Sequence, residues 1–545
     1  MYPTELLLLL LAAIPYTCLA SNSAERFDEL LTVRPLRDGR VATRFSFIIS
    51  QADAQPRAPQ MISEEDIPQH YSLFPLSLGQ VLREYAVTEA HLSLNAGKWD
   101  YGRWGYPDDS AVAPGAELWA WMGDSELSSI DERWKGLRNA LAGLFCASIG
   151  SLDELRTTSP AYAFRPEGAL PRFSTNQTHR LRYASLPSEH VCTENLTPFL
   201  KLLPCKSSAG IASLLNPHQL FDADWHGMGI HVMWSEASGV YLQLSFQAVF
   251  DPVRLSEKQK REFSFQSLFD RTISKACPVA SESSVEVDLP QNAAYSITPE
   301  PSSFRDKVGV FDIKEAQRLP LNVSMRYAEM VFQYPLDPPD AQLMDFEAMR
   351  TLTGSTQSRG RLNLSIRNNR AHEIRLIYIE TMPWLVTFYL HTLELTVDGR
   401  RRDDLLTRMT YTPPEAHGRP TLFEGRLTLP AASTLRLSMD VSKAFLRYTE
   451  HPPDAQRGWD LSPAVLVPLS AGNNSASLRG RRVYTPAVLV DVATPDFSMP
   501  YNVIIMSSTL IALIFGTIFN LFTRRFKEVN IDGTTEASEQ DGVIS

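Results

Sequence analysis

The sequence predicts a mainly β ectodomain, built of β-sandwich modules with a few helices and carried by one C-terminal transmembrane helix. Three observations predict this class. Many short segments alternate apolar and polar residues with a period of two, as half-buried strands do. The 37 prolines are scattered between these segments, which favours short strands and turns. Residues 503–522 carry no charge. A propeller-like arrangement of the strands is the second expectation.

Residues 503–522 are predicted to cross a membrane. At about 1.5 Å per residue, a helix of this length spans the ~30 Å hydrocarbon core of a bilayer. Arg524, Arg525 and Lys527 follow at once, and such basic flanks face the cytosol. The sequence therefore predicts a cytosolic tail at 523–545 and a lumenal ectodomain. A cleaved lipid-anchor signal is disfavoured because a charged tail follows the apolar run.

The N-terminus predicts the same orientation. An apolar run at 6–14 precedes the small residues around Ala20, which is typical of a signal peptide over residues 1–20. No Lys or Arg precedes the run, so uncleaved insertion is the alternative. The chain is thus expected to be a single-pass type I protein made at the endoplasmic reticulum.

Between these two segments the pattern is that of strands. They are predicted at 41–49, 240–250, 285–289, 362–366, 374–379, 385–397, 435–441 and 488–492. Trp134, Leu137 and Leu141 repeat with helical spacing, which predicts a helix over 131–146, and a second helix is expected after Pro75. Because about 480 residues exceed what one core usually serves, two lumenal domains are expected. The first, at 21–290, is α+β or β-rich, and the second, at 308–500, is a β-sandwich.

The sequence carries few signs of catalysis or of nucleic-acid binding. The formal net charge of −10 argues against a nucleic-acid partner. No HExxH, G-x-S-x-G, CxxC, P-loop or GxGxxG pattern occurs in it. His226 and His231 lie five residues apart, which is not the spacing of a helical metal-binding pair. His190 lies close to Cys192, but no third group that would orient a catalytic pair is evident. No metal or cofactor is expected.

The cysteines indicate disulfide chemistry. Four remain after the signal peptide: Cys146, Cys192, Cys205 and Cys277. In an oxidising compartment they permit two internal bridges, or one internal bridge together with one bridge to a partner chain, and their number does not decide between these schemes. Cys146 follows Leu144 and Phe145, which predicts a buried thiol. Cys192 lies in a polar stretch, which predicts a surface position.

The secretory context makes the Asn-X-Ser/Thr sequons relevant. Glycosylation is expected at Asn176, Asn322, Asn363 and Asn473. A fifth sequon at Asn195 is less suited, because Pro198 follows its threonine.

Several blocks of sequence, spread over nearly the whole chain, have no generic structural explanation. They are HYSLFPLSLGQ from His70, GKWDYGRWG from Gly97, PGAELWAW from Pro114, GLFCAS from Gly143, VCTENLTPFLKLLPC from Val191, ACPVASES from Ala276, TMPWLVTFYLHTLELT from Thr381 and TPDFSMPYNVI from Thr494. With these blocks the chain resembles the PIG-T family, whose members are non-catalytic subunits of the glycosylphosphatidylinositol (GPI) transamidase complex.

The resemblance implies a role in attaching preassembled GPI anchors to proteins in the endoplasmic reticulum membrane. In that complex a caspase-like subunit cuts the C-terminal signal of a proprotein and transfers the acyl group to the GPI ethanolamine. The family member resembled here stabilises that subunit and carries no nucleophile. The resemblance also implies an intersubunit disulfide from Cys192, after which Cys205 and Cys277 are expected to pair internally and Cys146 to stay free. A Cys192–Cys205 loop is the alternative.

Two questions stay open at this point. Trp99, Trp104, Trp119 and Trp121 form either a partner surface, where tryptophan is favoured, or part of a domain core. The function could also be that of a type I cell-surface receptor or adhesion ectodomain, which would leave the endoplasmic reticulum.

Overall fold

A computed structural model describes residues 25–64, 71–173, 178–255, 260–290, 294–315, 319–327, 343–354, 356–451, 458–469, 481–493 and 498–524. The predicted signal peptide and nearly all of the predicted cytosolic tail lie outside these residues. The chain divides into two compact units, Met1–Val492 and Ala493–Ser545. Strands dominate the larger unit, which confirms the predicted mainly β class.

The elements are numbered in chain order. The strands are β1 Glu25–Pro35, β2 Val41–Gln51, β3 Val87–Ala96, β4 Gly115–Gly123, β5 Thr157–Thr158, β6 His179–Leu186, β7 Trp225–Ser235, β8 Gly239–Phe250, β9 Phe263–Ser264, β10 Glu282–Asp288, β11 Tyr295–Thr298, β12 Ser303–Arg305, β13 Val308–Asp312, β14 Ser324–Tyr327, β15 Phe346–Thr353, β16 Arg359–Asn368, β17 Ile374–Met382, β18 Val386–Phe388, β19 Glu394–Val397, β20 Arg400–Arg401, β21 Leu406–Thr412, β22 Thr421–Leu429, β23 Thr434–Lys443, β24 Trp459–Leu461, β25 Val465–Leu469, β26 Val483–Tyr484 and β27 Val488–Val490.

The helices are fewer and mostly short. The α-helices are α1 Leu76–Glu84, α2 Tyr101–Trp104, α3 Ile130–Phe145, α4 Thr193–Leu202, α5 Pro217–Leu220, α6 Pro252–Leu255, α7 Phe265–Phe269 and α8 Ser498–Thr523. Short 3₁₀ turns occur at Pro59–Met61, Ser148–Ser151, Ile211–Leu214, Leu390–Thr392, Asp403–Leu405 and Tyr448–Glu450.

The N-terminal part of the larger unit is organised by an 11-stranded sheet. Its order is β12-β13-β10-β1-β2-β8-β7-β3-β4-β6-β5. Neighbours are antiparallel except β1 and β10, which run parallel. Residue 308, where a second domain is expected to begin, lies in β13 of this same sheet. The next large sheets begin at Phe346.

Both faces of the central strands are buried, although they carry different chemistry. In β3, Leu92 and Leu94 belong to an apolar core that is shared with helices α1, α3 and α4. The intervening His91, Ser93 and Asn95 point to the opposite face and are also buried. Since successive side chains alternate, one face of the sheet packs against helices and the other encloses a polar layer.

Helix α3 forms where the sequence predicts it. Ser129 caps its first turn, because the Ser129 hydroxyl accepts a 3.1 Å hydrogen bond from the Glu132 backbone N–H. Its buried Trp134, Leu137 and Leu141 face the sheet. The apolar core between helix α3 and the sheet is therefore predicted by the helical periodicity of the sequence.

The C-terminal part is a β-sandwich. One sheet has the order β15-β16-β23-β19-β20, with β18 also paired to β23, and the other has the order β21-β22-β17-β25-β26. Leu364 of the first sheet lies opposite Leu437 and shares a buried core with Leu376 and Phe423 of the second sheet. Two sheets that bury their inner faces against each other form a sandwich, which is the arrangement predicted for this half.

One predicted strand is broken in the structure. Residues 385–397 were expected as a single strand, but they form β18, a 3₁₀ turn at Leu390–Thr392, and β19. Both strands pair with β23, where Phe388 lies opposite Val441 and Glu394 opposite Ser438. The stretch from Phe388 to Glu394 is longer than the stretch from Ser438 to Val441 on β23, so its extra residues form the 3₁₀ turn. The single-strand prediction is wrong because alternation alone does not reveal such an insertion.

The smaller unit contains helix α8. Its segment Tyr501–Thr523 is long and apolar enough to cross a membrane, with a mean hydropathy of 2.0. The serine and threonine hydroxyls from Ser507 onward bond inside the helix; for example, Ser507 donates to the Ile504 carbonyl and Thr517 to the Leu513 carbonyl. Such internal bonding suits a helix in lipid, where unpaired polar groups are costly.

Candidate partner-attachment site at Cys192

Cys192 occupies the residue that immediately precedes helix α4. It is exposed and its thiol is free. Its backbone is extended, with φ −131° and ψ 172°, as a helix N-cap residue requires. The structure therefore places the thiol at the surface, on a residue whose backbone is set by the start of a helix.

Asn195 fixes this residue in place. Its side-chain oxygen accepts a 2.7 Å hydrogen bond from the backbone N–H of Cys192, and its own backbone N–H donates to the Cys192 carbonyl at 3.1 Å. The Asn195 amide nitrogen donates to the carbonyls of Phe145, at 2.8 Å, and Cys146, at 3.2 Å. Asn195 is only 1% exposed. One buried amide thus joins the start of α4 to the end of α3.

Cys146, at the end of α3, is also free and exposed. The sequence prediction of a buried thiol is wrong here. Cys146 ends the helix in the left-handed conformation, with φ 52° and ψ 42°, so its side chain leaves the apolar face on which Phe145 lies. Leu144 and Phe145, the apolar neighbours of Cys146 in the sequence, belong to the helix. A sequence signal for the end of the helix would have predicted the exposed position of Cys146. Two free thiols therefore border the same buried amide.

The other two cysteines form a disulfide. Cys205 and Cys277 are bonded, with their Cα atoms 6.0 Å apart and 72 residues between them in sequence. Cys277 is 1% exposed. Because Cys205 follows α4 by three residues, the bridge ties the far end of this helix to the segment that leads into β10. Helix α4 is therefore secured at both ends, by Asn195 and by the disulfide.

The structure does not bring His226 and His231 together as a metal site. His226 and His231 lie on opposite faces of β7, since His226 packs against Phe221 on the helix side and His231 contacts His91 in the polar layer. Among the residues that the structure describes, no group of three or more His, Cys, Asp or Glu side chains is suited to hold a metal. His190 contacts the Asn95 carbonyl at 3.4 Å.

A buried histidine pair in the polar layer was missed by sequence reasoning. The Nδ1 atoms of His91 and His231 lie 2.9 Å apart, His91 Nε2 is 3.1 Å from Glu89, and His231 Nε2 is 3.3 Å from Asp109. Burial lowers the pKa of His91. Burial alone would raise the pKa of Asp109, but His231 holds it below its ordinary value. No sequence signal reveals this pair, because 140 residues separate the two histidines.

This polar layer is enclosed. His91 is 2% exposed and His231 5% exposed, and the ring of His91 stacks on Trp119 with 3.8 Å between centroids. The carboxylate of Glu89 accepts hydrogen bonds from the backbone N–H groups of Glu167 and Gly168, both at 2.9 Å. The histidines therefore organise packing between strands and loops, away from solvent.

The tryptophan cluster also belongs to the interior. Trp99, Trp104 and Trp119 are at most 9% exposed and share a core with residues of the C-terminal sandwich, while Trp121 packs at its margin. The core interpretation of these residues therefore holds.

Two of the four expected glycosylation sites can be placed. Asn322 is exposed, and its side-chain oxygen accepts a hydrogen bond from the backbone of Gln266. Asn363 is half-buried on the outer face of the sandwich, between the inward-facing Leu362 and Leu364. Asn176 and Asn473 lie outside the described residues.

Comparison with known proteins covers nearly the whole chain. A family profile described as "Gpi16 subunit, GPI transamidase component" matches residues 10–544. The GPI-anchor transamidase component PIGT of Homo sapiens is 32% identical, with 96% of this chain and 94% of the relative aligned. The GPI transamidase component PIG-T homolog of Schizosaccharomyces pombe is 34% identical, with the same coverage. GPI transamidase component GPI16 of Saccharomyces cerevisiae is 29% identical over 95% of this chain and 91% of that protein.

Proposed function

Since the chain belongs to the Gpi16 family of GPI transamidase components, we propose that it is a non-catalytic subunit of that complex in the endoplasmic reticulum membrane. Its larger unit lies in the lumen, anchored by α8, with the basic residues after α8 in the cytosol. The complex attaches preassembled GPI to proprotein C-termini. This subunit holds the caspase-like catalytic subunit and carries no nucleophile of its own.

The observation that carries this proposal is the exposed, free thiol of Cys192 at the start of α4. The buried amide of Asn195 fixes its backbone, and the Cys205–Cys277 disulfide secures the helix at its other end. A thiol on a rigid element can meet a partner thiol in one defined geometry, as a disulfide requires. In the oxidising lumen the two thiols are joined as an intersubunit disulfide.

A covalent link of this kind supports assembly in a simple physical way. Once two chains are bonded, their remaining contacts form at high effective concentration, so a modest interface persists without great intrinsic affinity. The role in stabilising the catalytic subunit follows from this link. The enclosed position of His91 and His231 is consistent with a structural role for this buried pair.

The test compares Cys192→Ser with Cys146→Ser in the full-length chain. Both residues are exposed free cysteines that border Asn195, so they form a matched pair. After gentle detergent extraction and alkylation of free thiols, non-reducing gels should show a heavier species in wild type and in Cys146→Ser. That species should be absent in Cys192→Ser, and mass spectrometry should find a caspase-like protease in it.

Two results would overturn parts of the proposal. The Cys192 disulfide would be ruled out if the wild-type chain migrates as a monomer on the non-reducing gel. It would also be ruled out if the heavier species is lost equally in both variants. A chain found mainly at the cell surface, without co-purifying transamidase components, would instead support a receptor or adhesion role. An endoplasmic reticulum location with co-purifying components supports the complex even without the disulfide.

A further inference from the structure

A cavity of about 210 Å³ lies between helix α3, strands β5 and β6, and the β21–β22 hairpin of the sandwich. Helix α3 contributes Lys135 and Arg138, the β5–β6 region contributes Thr158 and Arg182, and the hairpin contributes Arg419. The cavity is thus built from both halves of the larger unit, at a point where the sheet edge meets the sandwich.

Arg138 brings a buried positive charge without a close ion-pair partner to this cavity. The residue is 4% exposed, and its Nη1 donates to the carbonyl of Gly150 at 2.9 Å. Its Nε is buried and has no hydrogen-bond partner in the described structure. Over the described residues, no ion pair within 4.0 Å includes Arg138. A guanidinium does not lose its proton in proteins, so this buried charge lacks the anion that usually accompanies one.

Thr158, from β5, provides a second unsatisfied group. It is 7% exposed, and its hydroxyl is buried without a hydrogen-bond partner among the described residues. The adjacent Thr157 differs, because its hydroxyl accepts a hydrogen bond from the Trp134 indole N–H at 3.0 Å and also contacts the Leu152 and Asp153 carbonyls. Two residues that line the cavity, Arg138 and Thr158, therefore each carry a buried polar atom that has no hydrogen-bond partner among the described residues.

The remaining charges leave the cavity positive. Asp131 is 2.7 Å from Arg182 and 3.7 Å from Arg419, so it compensates part of their charge. The cavity's other carboxylate, Glu154, is exposed. Four cationic side chains thus face two carboxylates, and the excess lies at Lys135 and Arg138. Burial lowers the pKa of Arg138, while Asp153 and Glu154 raise it without forming a close pair.

We propose that this cavity binds a phosphate group, either as inorganic phosphate or as a phosphate monoester. Its donors approach from the helix, the sheet edge and the hairpin, an arrangement that suits a tetrahedral oxyanion better than a planar carboxylate. Phosphate carries close to two negative charges and three or four strong acceptor oxygens, and arginine is favoured at such sites. The space is several times the ~30 Å³ that one water occupies in the liquid, so it admits this group.

Binding is tested by isothermal titration of the phosphate-free, full-length chain in detergent at constant ionic strength. The probes are inorganic phosphate and ethanolamine phosphate, with chloride as the reference anion. Wild type should bind at least one phosphate probe saturably. Arg138→Met should weaken that binding about tenfold or more, as expected for the loss of a hydrogen bond to a charged group. Thr158→Val should weaken it several-fold.

Two control variants match these substitutions closely. Arg133 lies on the same helix, is 4% exposed and, among the described residues, donates just to the Gly123 carbonyl, but it does not line the cavity. Thr88 is also buried with an unpartnered hydroxyl, at a different place. Arg133→Met and Thr88→Val should therefore leave phosphate affinity unchanged.

The outcomes separate cleanly. Binding of inorganic phosphate alone assigns the free ion as the ligand, and binding of the ester shows that the cavity admits a tethered phosphate. If Arg138→Met fails to fold, Thr158→Val and Lys135→Gln carry the test. No saturable binding of either probe by wild type, or equal losses in Arg133→Met and Arg138→Met, would overturn the proposal. Neither result bears on the Cys192 disulfide, which is read on a gel.

Discussion

The carboxylate of Glu167 and the guanidinium of Arg482 meet at 2.8 Å, although 315 residues separate them in the sequence. The side chain of Arg482 is 3% exposed and lies over the ring of Trp119, 5.2 Å from its centroid. Beside it, the Tyr484 hydroxyl donates to Glu117 at 2.8 Å. These contacts join the last strands of the larger unit to the polar layer of the N-terminal sheet.

We expect Arg482→Met to destabilise the larger unit by about 3 kcal/mol or more, because removing this buried cation leaves the buried carboxylate of Glu117 and the partly exposed carboxylate of Glu167 uncompensated. Urea unfolding of the full-length chain in detergent measures this loss. Arg481→Met is the neighbouring control. Its guanidinium stacks over Tyr106 and is half-buried, so a loss of about 1 kcal/mol or less is expected. Equal losses in the two variants would contradict the role of the Glu167 pair.

Asn195→Ala should loosen Cys192 and lower the yield of the intersubunit disulfide. The change leaves the buried carbonyl of Phe145 and the part-buried carbonyl of Cys146 and N–H of Cys192 without this partner. A buried group left unpaired costs about 1–3 kcal/mol. The readouts are the disulfide fraction on a non-reducing gel and the thermal midpoint.

The control for that change is Thr197→Ala. It also removes the sequon but keeps the Asn195 amide, and Thr197 is exposed. If both variants lose the disulfide equally, the effect comes from the sequon and the proposed clamp is wrong.

Stability should fall as pH drops through the range set by His226. Burial lowers the pKa of this imidazole to about 4, from an ordinary value near 6.5. Between these values the unfolded chain binds the proton that the folded chain excludes, so the stability that is present above pH 6.5 is lost towards pH 4. The loss reaches at most about 3 kcal/mol. The measurement is the free energy of unfolding of each variant between pH 4 and 6.5, expressed relative to the value of the same variant at pH 7.5. This free energy should depend less on pH in His226→Gln than in wild type, and an equal dependence would refute the assignment.

Glycan occupancy should follow the exposure of each asparagine. Asn322 and Asn363 present their amides at the surface of the fold, whereas Asn195 is 1% exposed and its amide makes three hydrogen bonds. Asn322→Gln and Asn363→Gln should each remove one glycan step on a gel, and glycosidase treatment should abolish the difference. A glycan on Asn195 in the folded protein would contradict its buried position.

The sequence predicts elements well where they depend on local periodicity. The sequence predicts strand β8 and helix α3 because the alternation of apolar and polar residues and the helical spacing of apolar residues involve only residues close together in the chain. The α8 helix follows from its uncharged length alone.

Features that depend on register between distant strands were not predicted. The contact of His91 with His231 requires β3 to pair with β7, and the Glu167–Arg482 pair requires the last strands to return to the first sheet. Cys146 was misassigned because a single left-handed residue at a helix end reverses the side-chain direction that its neighbours suggest.

The large sheet has one further consequence for how the protein meets its partners. Its two outermost strands, β5 and β12, contain only two and three residues. Longer unpaired edges would offer a row of backbone donors and acceptors to any extended chain nearby, and they are a common route to aggregation. A long added strand therefore finds few partners on β5 or β12 themselves, and at the β5 end the longer edge is the part of β6 that lies beyond its pairing with β5 at Tyr183 and Ala184.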